Sequence, residues 1–113
     1  MNAQSPAVRR WIESAGYDDE LLVEQERRLD LLGAFCAQEG KSPDELVQAC
    51  LRTTKGGDVA ISAKGRNAMQ ASIEAFVVGR SLTGRDAVAA GNTIRGFLIH
   101  NGVFIQGPAW TGA

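Results

Sequence analysis

The apolar residues of this chain recur at helical spacing almost throughout. Ser5 followed by Pro6 supplies a capping oxygen and a preset first-turn φ, and Gly16 supplies a left-handed stop. Together they predict a short helix over Pro6 to Ala15 bearing Trp11 and Ile12. A second helix is expected from Asp18 or Asp19, with Leu22, Leu29, Leu32, Phe35 and Cys36 on its inner side. Glu20, Glu24, Arg27 and Asp30 lie on its outer side, and Gly40 closes it. In Ser42-Pro43-Asp44-Glu45 a Ser cap, a Pro at the first helical position and a Glu three residues after the cap describe a capping box. That helix is predicted to run to about Arg52 and to bury Leu46, Val47, Cys50 and Leu51. Thr53 to Asp58, with Gly56 and Gly57 adjacent, reads as a flexible loop. Ser62 can cap a fourth helix whose Met69, Ile73, Phe76 and Val77 form one stripe before a stop at Gly79. Thr83 with Asp86 repeats the capping-box pattern and opens a last helix that ends at Asn101-Gly102, with Val103 placed for a Schellman contact. No strand-like alternation persists, so the expected fold class is all-α, a compact bundle of four to five helices.

The last helix carries the most informative pattern. At about 100° per residue, Ala87, Ala90, Gly91, Ile94, Phe97 and Leu98 gather on one side. Arg85 and Asn92 fall on the other, among the small residues Ala89 and Gly96, with Arg95 on the flank. Such a face is basic and low in profile, so a polyanion can approach the backbone closely and guanidinium groups can pair with phosphate or guanine edges. An ordinary solvated helix face is the competing reading.

Charge sharpens the picture once it is divided. The whole chain has a formal net charge of −1. Residues 1–40 hold 4 Lys+Arg against 8 Asp+Glu, a balance of −4, whereas residues 41–113 hold 8 against 5, a balance of +3. A basic portion beside an acidic one permits a localised electrostatic footprint. Lys64 and Arg66 fall in the first turn of the fourth helix, where the helix dipole disfavours cations by about 0.3–1 kcal/mol. Either an anion at the helix start compensates, or both side chains extend into solvent.

At 113 residues the chain is sized for a single domain. The expected organisation is an N-terminal helical extension over 1–17, a helical domain over 18–105, and a tail or linker start over 106–113. No apolar run approaches the roughly 18 residues of a membrane span, and the N-terminus lacks a secretory apolar core. A cytoplasmic protein with no membrane partner is therefore expected.

The chemistry of catalysis is thin. His100 is the single His and Tyr17 the single Tyr, and neither neighbours a plausible nucleophile or carboxylate partner. Lys55-Gly56-Gly57 lacks the frame of a phosphate loop, and Asp18-Asp19-Glu20 reads as a set of helix-dipole partners, not metal ligands. Cys36 and Cys50, inside apolar helical patterns, read as buried structural thiols. These readings imply no cofactor, no metal, no small-molecule substrate and no enzymatic activity for this chain alone.

The frame Leu82-Thr83-Gly84-Arg85-Asp86-Ala87 with Ile94-Arg95-Gly96-Phe97, closed by Asn101-Gly102-Val103, resembles the last helix of the core-binding domain of tyrosine recombinases, including phage integrases. Upstream, Phe35 and Gly40-Lys41-Ser42-Pro43-Asp44-Glu45-Leu46 resemble the end of that family's first helix and the start of its second. The resemblance covers roughly residues 20–105. Asp86 and Ala90 depart from it, standing where the family usually carries Thr and Tyr. It implies a SAM-like helical fold that grips duplex DNA during integration and recombination. It also implies a recombinase catalytic domain, and other recombinase protomers, as partners. It implies that Arg85, Asn92 and Arg95 face the groove or its phosphates, with Asn92 placed for an adenine edge. Lys55, Lys64, Arg66 and Arg80 would be auxiliary phosphate contacts. A helical protein-interaction module, using the acidic helix from Leu21 to Cys36 as its contact, is the alternative.

Overall fold

The capping chemistry written into the sequence governs most element ends. In the computed structural model, residues 5–106 are described; they form α1 (Pro6–Ala15), α2 (Leu22–Glu39), α3 (Pro43–Ala49), α4 (Ala63–Gly79) and α5 (Gly84–Ile99), with a two-stranded hairpin between α3 and α4. One turn of 3-10 helix, Tyr17–Asp19, joins α1 to α2. Of the expected tail 106–113, only Gln106 lies among the described residues.

The Ser42 capping box forms as predicted: Ser42 Oγ accepts from the Glu45 amide at 3.2 Å, and the Glu45 carboxylate accepts from the Ser42 amide at 2.9 Å. Ser62 Oγ likewise accepts from the Gly65 amide at 3.0 Å and caps α4. Gly16 and Gly40 take the left-handed conformation that ends α1 and α2. At the end of α5 the Val103 amide donates to Leu98 O and the Gly102 amide to Ile99 O, the Schellman pattern, and Val103 is fully buried.

Two expected side-chain caps do not form. Ser5 does not cap α1 with its own side chain. Instead Asp44, from the first turn of α3, accepts the Ala7 amide at 3.0 Å and the Ser5 hydroxyl at 2.7 Å, so one helix caps another. The predicted Thr83/Asp86 box does not form, because Gly84 takes a left-handed φ of 59° that turns the chain out of capping geometry. The stop between α4 and α5 is also displaced from Gly79. Ser81, at φ 59°, is the left-handed residue, and the amides of Ser81 and Leu82 close back on Val78 O and Val77 O.

The expected loop is the turn of a β-hairpin that the sequence did not show: apart from Thr53, its residues connect two short strands, and α3 stops at Ala49, short of Arg52. β1 (Leu51–Thr53) pairs antiparallel with β2 (Val59–Ile61) in the register Leu51↔Ile61. Gly57, at φ 87°, lets the turn close: the Gly57 amide donates to Thr54 O, and the Thr54 amide to Asp58 O at 2.7 Å. The strands are too short for alternation to show in the sequence. The fold is therefore a predominantly helical bundle with one small hairpin.

All five helices share one core. Val8 and Trp11 of α1, Leu32 and Phe35 of α2, Leu46 of α3, Ile73 of α4, and Ile94, Phe97 and Leu98 of α5 are all buried. Trp11 meets Tyr17 and Phe97 edge-on at 5.8 and 5.6 Å between ring centroids, and Phe35 meets Phe76 at 5.4 Å. Asn101 ties α1 to the end of α5: its Nδ2 donates to Ala7 O and Phe97 O, and its Oδ1 accepts from Arg10. Leu22 was expected in the core and is exposed, along with Leu21 and Val23. The 3-10 turn delays the start of α2, so the stripe begins in effect at Leu29.

Candidate nucleic-acid interface

α4 and α5 run antiparallel. Arg95 on α5 bonds to Gln70 on α4, and a groove of about 310 Å³ is lined by Arg66 and Gln70 of α4 together with Phe104 and Ile105, just beyond α5. The start of α4 thus lies beside the end of α5, and Arg80, just after α4, and Arg85, in the first turn of α5, lie at the far end. Gly65 sets the placement of the α4 start. A Cβ there would collide with the Ala49 carbonyl oxygen, so only a glycine lets α4 cross so close to the end of α3.

Apart from Lys41 and Arg95, the cations after Gly40 fall into two groups along this pair of helices. Arg52 on β1, Lys55 in the hairpin turn, and Lys64 and Arg66 in the first turn of α4 form one; Arg80 and Arg85 form the other. At 1.5 Å per residue the length of α4 separates them by about 25 Å. Between them lies the outer face of α5, where Arg85, Ala89 and Asn92 are exposed and nothing approaches within 4 Å of a Cβ built on Gly96. No other segment covers that face among the described residues. Arg52 was not singled out in the sequence, because the strand that holds it was not legible there.

Arg95 does not join that surface. Its side chain folds inward and is only 9% exposed. Nη2 donates to Asn92 Oδ1 at 3.0 Å, and Nη1 makes a long bond to Gln70 Oε1 at 3.5 Å. Burial pushes the guanidinium's pKa down, and the Glu74 carboxylate counteracts part of that. Gln70 links the two charges, since its Nε2 donates to Glu74 Oε1 at 3.2 Å. The sequence expectation that Arg95 faces outward is corrected, and Asn92, though exposed, already has its carbonyl oxygen occupied. The reason is room: the helical period puts Arg95 on the flank beside Gly91, whose missing side chain leaves space for the guanidinium to lie flat.

Ion pairing divides the molecule sharply. Among the described residues there are three ion pairs, Arg9–Glu13, Arg27–Glu24 and Arg28–Glu20, and all lie before residue 29. Among the described residues, no Lys or Arg after Gly40 pairs with a carboxylate. Asp44 and Glu45, meanwhile, have their oxygens engaged in capping. Arg80 lies over the Phe76 ring at 5.3 Å. It also shares a groove of about 730 Å³ with Glu24, Glu26 and Asp30 of α2 and Asp86 and Ala89 of α5, so the acidic side of α2 borders the Arg80 end of the basic surface and one edge of the α5 face.

Elsewhere the chemistry is quiet. Cys36 and Cys50 are buried free thiols, and desolvation raises both, Cys36 to about 11. His100 Nδ1 shares a hydrogen bond with Ser14 Oγ at 2.7 Å. Among the described residues no group of His, Cys, Asp and Glu could hold a metal ion, and no helix is long and apolar enough to cross a membrane. The fold and surface together define a small helical protein with a segregated basic region. Comparison with protein-family models, with characterised proteins and with solved structures returns no match.

Proposed function

We propose that this chain is a non-catalytic module that binds duplex DNA, of the SAM-like core-binding kind found in tyrosine recombinases, working beside a recombinase catalytic domain. The observation that carries the reading is the set of unpaired cations after Gly40, flanking an uncovered helix face of small residues. Unpaired guanidinium and ammonium groups release counterions when they meet phosphates, whereas paired ones must first break an internal contact. The two cationic groups, about 25 Å apart, span somewhat less than one turn of B-DNA, about 34 Å. Arg85 and Asn92 are the side chains nearest a groove, and Arg52, Lys55, Lys64, Arg66 and Arg80 supply phosphate contacts.

Titration of a labelled duplex by fluorescence anisotropy at several salt concentrations tests this. Binding should weaken steeply between about 50 and 200 mM salt, and Arg85→Gln with Lys64→Gln should flatten the slope by about one unit per lost phosphate contact. Salt-independent binding, or none, defeats the reading. The second reading, a protein-interaction module, is supported by one observation: Leu21, Leu22 and Val23, at 73%, 75% and 58% exposure, form an apolar tip on the acidic helix. It predicts indifference to DNA together with association that Leu22→Asp abolishes.

A further inference from the structure

The seat of Arg95 is unusual for a charged group. The residue is nine-tenths buried, yet no carboxylate reaches ion-pair distance, and its acceptors are two neutral amide oxygens. A buried cation hydrogen-bonded only to neutral groups, with the Glu74 carboxylate acting on it beyond ion-pair distance, is poorly compensated for leaving water. The seat is nevertheless built to receive it: a Cβ at Gly91 would stand 2.6 Å from Nη2 and 3.1 Å from Cζ. One of the two acceptors, Asn92, lies on the exposed outer face of α5.

We propose that Arg95 is a phosphate anchor held in reserve: Gly91, Asn92 and Gln70 keep its guanidinium folded against α5 in the free protein, and a duplex phosphate draws it out onto the helix's outer face. The inference rests on the DNA-binding reading above. A phosphate oxygen pair offers the guanidinium charge-assisted, bidentate bonds that neutral amides do not, so the ligand has the differential affinity a shift of population requires. Release also frees Asn92 Oδ1. Arg95 and Asn92 are thus either locked to each other or both available, and engagement of a phosphate by one readies the other for a base edge. Gln70, on α4, holds the latch from a helix that need not move.

The test uses the full chain. In Gly91→Ala the new Cβ occupies the guanidinium's place, and because the obstructing atoms end a flexible side chain, Arg95 vacates while the helix persists. Gln70→Ala loosens the same seat without altering α5, which guards against a folding defect in the first variant. Phenylglyoxal labelling read by mass spectrometry should find Arg95 slow to react in the wild type and fast in both variants. Both should bind duplex DNA more tightly, on the order of threefold, because the binding-competent population is larger. Arg95→Gln should flatten the wild-type salt slope by about one unit, and should cancel the gain when combined with Gly91→Ala. If Arg95→Gln leaves the slope unchanged, or if neither releasing variant tightens binding, Arg95 is a structural brace and the anchor is refuted. If the wild type shows no salt-dependent binding and Arg85→Gln is silent too, the DNA reading itself falls, and the anchor with it.

Discussion

The stretch before Gly40 and the stretch after it treat arginine in opposite ways. In the first, Arg28 is fixed at one edge and one face: a two-toothed contact with Glu20 at 2.9 and 3.0 Å, and the Tyr17 ring 3.9 Å beneath its guanidinium. Arg9 and Arg27 pair with Glu13 and Glu24 along their own helices. In the second, Arg52, Lys55, Lys64, Arg66, Arg80 and Arg85 are left without carboxylate partners, and the segment is held by its share of the apolar core, by caps and by close backbone approach. The difference teaches where each half's charge is used. Paired charges orient neighbouring turns and cancel at a distance, whereas unpaired ones leave a field for a partner to meet.

The largest expected blow to this division comes from Gly65→Ala, which forces α4 away from the Ala49 and Cys50 backbone. Stability should fall by about 3 kcal/mol, measured by urea denaturation. The salt-dependent binding of the basic half should weaken with it, because Lys64 and Arg66 are displaced from the hairpin. Retention of wild-type stability would show that the α3–α4 crossing can yield.

Asp44→Ala comes next, removing the brace that ties α1 to α3 across the boundary between the halves. Losing the caps on Ser5 and the Ala7 amide should cost about 1–2 kcal/mol, and hydrogen exchange at Ala7 should quicken while the Ser42 box is unaffected. An unchanged exchange rate would mean that packing of Val8 and Trp11 alone holds the helix start.

The smallest effect is expected from Glu20→Gln. The Arg28 guanidinium holds the Glu20 carboxyl below the usual carboxylate range. Its stabilisation is therefore present above that range and is lost as pH falls through the depressed native value. The variant should be slightly less stable than the wild type at neutral pH and equal to it in acid, in parallel thermal melts. Because this pair is partly exposed, the gap should be small. A gap that persists into acid would show that Glu20 acts through packing.

How much was legible follows from how far each signal reaches along the chain. Helix ends at Gly16, Gly40, Ser42 and Gly102 were legible because a cap or a left-handed glycine satisfies amides or carbonyls within a turn of itself. The inner face of α5 was legible for the same reason, since burial of Ile94, Phe97 and Leu98 follows from a helical period over neighbouring residues. The hairpin was not, because strands as short as Leu51–Thr53 and Val59–Ile61 are stabilised by each other and by the Ser62 amide closing on Cys50 O at 2.8 Å. In the candidate interface, the exposure of Arg85 and Asn92 matched the helical wheel. The retreat of Arg95 did not, because a wheel gives a residue's angle and not the space beside it.

By itself, then, the amino-acid order settled the helix ends that are capped locally, most of the apolar residues the helices bury and how charge is apportioned between the halves, since all of these depend on local chemistry. The tertiary structure alone decided that Asp44 caps a helix 37 residues away, that Ser81 takes the left-handed turn, and that Arg95 turns inward against Gly91 and Gln70. Those choices depend on which groups the completed packing brings within a few ångströms, and no local pattern encodes that proximity.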